Sequence, residues 1–467
     1  MDAPANSPCV APVVDGRLLE KYDRPGPRYT SYPTAPHFHE EFGHGDFLRE
    51  IKQGSTVNNP PPLSIYFHLP FCRSVCFFCG CNVIFTADRK RPEAYLSALS
   101  TEMGMVQNAL GENRKVAQMH WGGGTPTFLS PDQIRRLAED VRGRFCFEPG
   151  AEISVEIDPR ETGGTHISEL KQAGFNRLSM GVQDFDDEVQ RAIHRIQPEA
   201  LTRRVFGEAR EAGFSAISVD LIYGLPAQSE TTFARTAERI LDLNPDRIAL
   251  FNFAYLPQLF RHQKAIQAER LPAPAEKIRI LQRAIETFTS SGYRYIGMDH
   301  FAKPDDALCR AQDAGTLGRN FQGYTPRAEC ELIGMGLSSI SQTGSAYAQN
   351  HRKLPEYMAC LDAGHLPTLR GIKLSSEDVL RREIIMRLLC VFELDTEEIG
   401  RRFQIDFESH FANDIGQLDP MIADGLVAWH GRRLKILPAG RMLARNIAMA
   451  FDAYLDAKSA ARFSRTV

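Results

Sequence analysis

Short apolar or β-branched runs recur along the chain between residues 63 and 300. They are LSIYFHL (63–69), VAQMHW (116–121), AEISVEID (151–158), NRLSMGV (176–182), SAISVDLIYG (215–224), DRIALFNFAY (246–255) and YRYIGMD (293–299). Longer stretches with apolar positions at helical spacing separate them, among them PDQIRRLAEDVRGRF (131–145) and AEKIRILQRAIETFTSSG (275–292). Short apolar runs alternating with amphipathic helices predict βαβ units and a parallel sheet. A faint repeat agrees: AGFNRLSMG begins at Ala173 and AGFSAISVD at Ala212, 39 residues on. Each Gly stands where a helix end wants a left-handed cap, and a strand follows.

Polar residues recur where these strands end. His68 and a group of cysteines follow the first run, and Gly122, Gly123 and Gly124 follow the second. Glu156 and Asp158 end the third, Gln183 and Asp184 follow the fourth, and Asp220 and Tyr223 lie late in the fifth. Asn252 lies late in the sixth, and Asp299 and His300 close the seventh. In a parallel barrel the C-terminal strand ends share one face, so the pattern predicts a barrel mouth that binds something polar. Ordinary strand-ending punctuation is the simpler reading of any one of these residues.

Beyond about residue 370 the texture changes. SSEDVLRREIIMRLLCVF (375–392) opens with Ser375 and Asp378 at capping-box spacing and continues as an amphipathic helix. DGLVAWHGRRLKILPAGRMLARNIAMAFDAYL (424–455) predicts a turn, a short hairpin and a final helix, resembling a small winged-helix-like unit. KYDRPGPRYTSYPT (21–34) has no periodicity and reads as an extended arm. The expected division is an N-terminal arm and lead-in (1–55), a barrel domain with its extension (56–365) and a mostly helical C-terminal domain (366–467).

Composition narrows the classes. The formal net charge of −3 argues against a nucleic-acid binder that relies on a general basic field. No apolar run approaches the roughly 20 residues a membrane span needs, and MDAPANSPCVAPVVDGR does not read as a secretion signal. Ten cysteines, mostly scattered singly, predict a reducing cytoplasm rather than a disulfide framework.

The exception is FCRSVCFFCGC (71–81). Thiolates favour zinc or iron–sulfur clusters. Zinc would need a fourth ligand, commonly from a second CxxC or His pair downstream, whereas Cys146, Cys309, Cys330, Cys360 and Cys390 stand alone. Three thiolates at Cys72, Cys76 and Cys79 suit a four-iron cluster with one iron left open, able to bind a small chelating ligand. A zinc knuckle or unrelated buried thiols is the alternative.

Cx3Cx2C after the first strand and GGGTP (122–126) after the second resemble the radical S-adenosylmethionine superfamily. GPRYTSYPT (26–34), YFHLPFC (66–72), FFCGCN (77–82), HWGGGTPT (120–127), EIDPRE (156–161), GFNRLSMGVQDF (174–185), DLIYGLP (220–226), GMDHFA (297–302) and RNFQGYT (319–325) are similar to the oxygen-independent coproporphyrinogen III oxidase (dehydrogenase) family, over nearly the whole chain. The resemblance implies an α/β fold, a partial (βα)6-type TIM-like barrel. It implies a [4Fe-4S] cluster on Cys72, Cys76 and Cys79 and two molecules of S-adenosyl-L-methionine. Tyr66, Gly123, Glu156 and Ile340 match positions contacting the cluster-bound molecule; Phe78, Gly124, Thr125, Gln183, Arg195, Asp220 and Ala254 match those for the second. The implied reaction turns two propionate side chains of coproporphyrinogen III into vinyl groups by a 5′-deoxyadenosyl radical, giving protoporphyrinogen IX.

The resemblance does not make Cys81 a cluster ligand. It is read as a residue that positions substrate or donates a hydrogen atom or proton, with a structural small hydrophobe as the alternative; Gln322 is a further candidate for substrate or radical handling. Where some relatives have Asn before the arginine, this chain has His194. Arg24 and Arg28, with Tyr22, Tyr29 and Tyr32, are expected to bring the arm over the barrel mouth toward the carboxylates of the tetrapyrrole; a solvent-exposed tail is the alternative. A haem chaperone of the same superfamily branch is the rival function. It carries an HNxxYW motif, absent here because neither Trp121 nor Trp429 follows a Tyr. A haem-opening radical methyltransferase and a DNA-binding regulator are weaker rivals. A low-potential electron donor, no nucleic-acid or membrane partner and a monomeric cytoplasmic enzyme are expected.

Overall fold

Alternating inward and outward residues decide the barrel. A computed structural model describes residues 11–13, 15–111, 113–455, 463, 465 and 466. The outermost parts of the expected arm and C-terminal domain, with Cys9, lie outside the described residues. Six strands, β1 (Leu63–Leu69), β2 (Lys115–Gly123), β3 (Cys146–Ile157), β4 (Arg177–Gln183), β5 (Ala216–Tyr223) and β6 (Arg247–Asn252), lie side by side in that order and run parallel. Helices α1 (Pro92–Leu110), α2 (Pro131–Arg144), α3 (Gly164–Gln172), α4 (Glu199–Glu211) and α5 (Glu230–Leu243) connect them, and α6 (Pro274–Ser290) follows β6. Along β3 to β6 one set of alternate residues, such as Val155, Met180, Val219 and Ile248, is buried in the hydrophobic core. The other set, such as Ser154, Ser179, Asp220 and Arg247, lines a cavity inside the barrel. The interior is therefore polar, and most of the apolar burial lies outside it.

The repeat has a direct structural counterpart. Phe175 N–H donates to Leu170 O and Phe214 N–H to Ala209 O, the same helix-ending motif, with φ of +90° at Gly174 and +81° at Gly213. Arg177 then pairs with Ala216 in the sheet, so residues 39 apart sit side by side on neighbouring parallel strands.

The sheet does not close. Glu331–Met335 adds in parallel to β1, and three antiparallel strands, Ile340–Gln342, Ala346–Asn350 and Thr368–Lys373, continue that edge. At the other edge the seventh run departs from expectation. Its strand, Arg294–Gly297, does not lie beside β6, because the chain reverses at Met298 and Asp299 and His300–Ala302 inserts antiparallel between the two. Asp299 and His300 thus sit at a reversal rather than at a parallel strand end.

In the C-terminal domain α7 (Ser376–Cys390) starts as expected: Ser375 Oγ accepts from Asp378 N–H at 3.1 Å and Asp378 Oδ2 from Ser375 N–H at 2.9 Å. Beyond its first residue no side chain of this helix is fully exposed, so it is wedged between layers rather than amphipathic on a surface. The hairpin appears as Val427–His430 with Arg433–Ile436, joined by Glu393–Asp395 in a three-stranded antiparallel sheet. The expected final helix is instead three short pieces, Pro438–Leu443, Ala444–Ala448 and Met449–Phe451. There Arg445 and Asn446 donate to the carbonyls of Gly26 at 2.6 Å and Tyr22 at 2.7 Å, and the chain bends around the arm.

The arm is not a solvent-exposed tail. Tyr29 and Tyr32 are 1% and 0% exposed. Tyr29 donates to Asp452 at 2.8 Å, Tyr22 to Asp424 at 2.5 Å, and Tyr32 Oη accepts from Ala453 N–H at 3.0 Å. No helix among the described residues is long and apolar enough to cross a membrane.

Behind β1, Glu102 of α1 is fully buried and accepts from Tyr357 Oη at 2.5 Å, Asn350 Nδ2 at 2.7 Å and Gly336 N–H at 2.8 Å. Burial outweighs these bonds and raises its carboxyl from 4.5 to about 7. A carboxyl raised in the folded state stabilises below its unfolded value and loses that contribution as pH rises through the folded one. We expect Glu102→Gln to remove a decline of about 3 kcal/mol between pH 4.5 and 7 that the unmodified protein shows. Calorimetric melting across pH 4.5–8 checks this; parallel curves for the two proteins would refute it.

Candidate active site

The cysteine loop leaves β1 at Pro70. Its base is closed by Ile84 N–H to Pro70 O at 2.7 Å and Thr86 N–H to Cys72 O at 3.0 Å. Phe71, 1% exposed, anchors it against Phe128 and Tyr95 with ring centroids 5.9 and 5.5 Å away. The glycine turn after β2 docks on this base: Gly124 N–H donates to Leu69 O and Thr125 N–H to Phe71 O, each at 2.9 Å. A Cβ on Gly124 would lie 2.7 Å from the Pro70 carbonyl carbon, and Gly123 has φ +110°. Close backbone approach to the cysteine loop is thus the reason for Gly124, whereas a Cβ on Gly123 would meet the His68 ring at 2.6 Å.

Inside the loop, His262 Nε2 and Cys79 O are 2.6 Å apart, and His194 Nδ1 and Val75 O 2.7 Å apart. His194 stacks on Phe77 at 5.0 Å and has φ +53°, a conformation that Asn and His tolerate better than most side chains. Cys72 Sγ lies 3.4 Å from Thr125 Oγ1, and Cys79 Sγ accepts from Cys81 N–H at 3.4 Å. Cys76 is buried and accepts from Arg160 at 3.3 Å and Arg195 at 3.6 Å. Both arginines also donate to Asp158, at 2.7 and 2.9 Å. Burial alone would raise Asp158, but Arg195 and Arg160 hold it down at about 2. Burial pushes the Cys72 thiol up to about 12, whereas a hydrogen bond from the Cys81 side chain brings Cys79 down to about 6.

The donors around the three thiols suit an iron–sulfur cluster. Guanidinium N–H groups aimed at a cysteine sulfur are the kind of second layer that iron–sulfur centres use.

The barrel cavity, about 180 Å³, is lined by His120, Glu156, Asp220, His300 and Gln322. Glu156 Oε2 accepts from Gly123 N–H at 3.0 Å, and His120 Nε2 is 3.3 Å from Oε1. Against burial, these contacts lower the Glu156 carboxyl. Ser179 donates to Asp220 at 3.2 Å, yet burial and the Glu156 charge raise Asp220 to about 7. Tyr66 Oη is 3.1 Å from His68 Nδ1, and Tyr66 pairs with Gly334, whose added Cβ would lie 2.6 Å from Ile340 O.

Gln183, at φ +71°, and Arg195 both crowd the Cα of Gly181, whose carbonyl accepts from Arg195 at 2.7 Å. Among the described residues Arg195 Nε, buried, has no hydrogen-bond partner, an orphaned donor. Phe78 and Ala254 are brought together by buried Gln263, which donates to their carbonyls at 3.4 and 3.2 Å. Cys81 stays on the cysteine loop, exposed, while Gln322 belongs to the cavity wall. Arg160, His262 and Gln263 went unrecognised as site residues, and no spacing marks them: His262 and Gln263 reach the site from 183 and 185 residues away.

Residues 66–240 match the radical SAM superfamily and residues 374–443 the HemN C-terminal domain. The oxygen-independent coproporphyrinogen III oxidase of Pseudomonas aeruginosa is 45% identical over 97% of this chain and 98% of its own length. That of Escherichia coli is 46% identical over the same shares. The solved structure described as coproporphyrinogen III oxidase from Escherichia coli, a radical SAM enzyme, superposes with a TM-score of 0.91 at 44% identity. It covers 96% of this chain and 100% of that one. With its cysteine loop, glycine turn and C-terminal domain in place, the chain belongs to the oxygen-independent coproporphyrinogen III oxidase family.

Proposed function

We propose that this chain converts coproporphyrinogen III to protoporphyrinogen IX without oxygen. Each of two propionate side chains loses a hydrogen atom from its β-carbon to the 5′-deoxyadenosyl radical, then CO2 and one further electron, which passes to an external one-electron acceptor, and becomes a vinyl group. The observation that carries this reading is agreement in sequence and in fold with enzymes of that name over nearly the whole chain.

The residues fit the group the family uses. Cys72, Cys76 and Cys79 would hold the [4Fe-4S] cluster, which, with S-adenosylmethionine on its open iron, supplies the 5′-deoxyadenosyl radical. Tyr66, Gly123, Glu156 and Ile340 would line the first molecule's place: the Glu156 carboxylate, fixed by Gly123 N–H and kept charged, faces the barrel cavity. Phe78, Gly124, Thr125, Gln183, Arg195, Asp220 and Ala254 would form a second place. Orphaned Arg195 Nε there awaits a carboxylate, and Asp220 accepts from hydroxyl or amino groups. Cys81 lies beside Cys79, where it can pass a proton or hydrogen atom, and Gln322 presents its amide to the cavity. The protein's own contribution is placement and exclusion of water, with the radical chemistry supplied by the cofactors. A monomer in the cytoplasm, fed by a low-potential donor and bound to neither membrane nor nucleic acid, completes the reading.

Anaerobic protein reconstituted with iron and sulfide, then given reductant, S-adenosylmethionine and coproporphyrinogen III, is expected to form protoporphyrinogen IX with 5′-deoxyadenosine. Haem binding without turnover would overturn the reading. Cys76→Ser should lose most of its iron. Cys81→Ser should keep the iron content of the unmodified protein but lose turnover at least tenfold; undiminished turnover would remove Cys81 from the mechanism.

A further inference from the structure

A second hollow lies where the arm crosses the C-terminal ends of β5 and β6. It consists of two adjoining cavities, about 360 and 40 Å³, that share Arg28, Tyr223 and Asn252 as walls. The larger has apolar sides from Phe253 and Ile278 and reaches Ala254. It is a different space from the barrel interior around Glu156 and Asp220.

Its charges are unbalanced. Lys277, in the first turn of α6, lays its stem over Gly224, where an added Cβ would lie 2.8 Å from Lys277 Cε. Burial lowers its ammonium from the ordinary value. Arg28 reaches only the carbonyl of Asn252, at 3.4 Å. Among the described residues, neither cation has a carboxylate within ion-pair distance. Behind them Arg445, 7% exposed, is engaged with backbone carbonyls of the arm, and its own charge is disfavoured by burial and by Arg28. The carboxylates facing the hollow are taken: Asp23 by Arg465 at 2.5 Å and Asp299 by His300 at 2.6 Å. Among the described residues Asn252 Oδ1, buried, has no hydrogen-bond partner. A half-buried cation without a counter-charge and a buried acceptor without a donor are both costly. Here Lys277, Arg28 and Asn252 line one space.

We propose that this hollow receives one propionate-bearing pyrrole ring of the substrate, with Lys277 and Arg28 holding the carboxylate and Asn252 Oδ1 accepting the pyrrole N–H. The proposal rests on the reading of coproporphyrinogen III as substrate. The chemistry matches group by group. A flat apolar ring meets Phe253 and Ile278, its N–H meets the orphaned amide oxygen, and its carboxylate takes charge-assisted hydrogen bonds from an ammonium and a guanidinium. A pocket of this size holds part of the macrocycle and leaves the rest to extend past Ala254 toward the barrel mouth.

Coproporphyrin III, the fluorescent oxidised form of the substrate, and its tetramethyl ester are the probes, titrated into reconstituted full-length enzyme. Lys277→Gln and Arg28→Gln are expected to weaken coproporphyrin III at least tenfold and to raise the KM for coproporphyrinogen III. Lys277→Arg should recover most of the loss. The ester should bind weakly and equally to all forms, and the affinity for S-adenosylmethionine should not move. Undiminished coproporphyrin III binding by both glutamine variants overturns the proposal, as does a loss confined to S-adenosylmethionine. Such a result beside normal turnover by the unmodified enzyme leaves the assigned reaction standing. Absence of any turnover by the unmodified enzyme sinks the reaction and the proposal together.

Discussion

The contact on which this site depends is between two stretches of main chain. The Gly124 turn lies against Pro70 so closely that no side chain fits between them, and two backbone hydrogen bonds hold it there. Main chain against main chain leaves little room for adjustment, because neither partner can change rotamer to relieve a clash. The position of Cys72 relative to Thr125, and of Gly123 N–H relative to Glu156, follows from that seam. Strands β1 and β2 deliver the two loops from adjacent, parallel and register-locked positions.

Charge inside the barrel is arranged around that seam in a graded way. Near Cys76, Asp158 is clamped by two arginines and stays ionised. Further in, Glu156 remains charged through His120 and Gly123, while Asp220, buried and beside the Glu156 charge, is driven up to about 7 despite its bond from Ser179. Neighbouring carboxyl groups in one cavity therefore differ in protonation near neutral pH because their hydrogen-bond partners differ.

Much of this was legible in the sequence, for identifiable reasons. Parallel strands buried under helices leave apolar runs with polar residues at their ends, so β1 to β6 and the mouth residues could be read directly. The cysteines and the glycine turn are local in sequence, and so is the Ser375 cap. What escaped depends on distance along the chain. The reversal at Asp299 looks like a strand end because strand direction leaves no local mark. The segment after Pro438 has helical composition but is broken by its contacts with Tyr22 and Gly26, more than 400 residues earlier. Gln263 joins Phe78 to Ala254 only through space.

The mutual grip of the first and last segments has a consequence for biogenesis. The cysteine loop and the turn that braces it are made within one early stretch, and both can assemble while the ribosome is still working. The clasp of Arg445 on Pro27 spans 418 residues and forms only after the barrel between them has been made. The wall that carries Arg28 therefore cannot be braced by Arg445 until the strands of the barrel already exist.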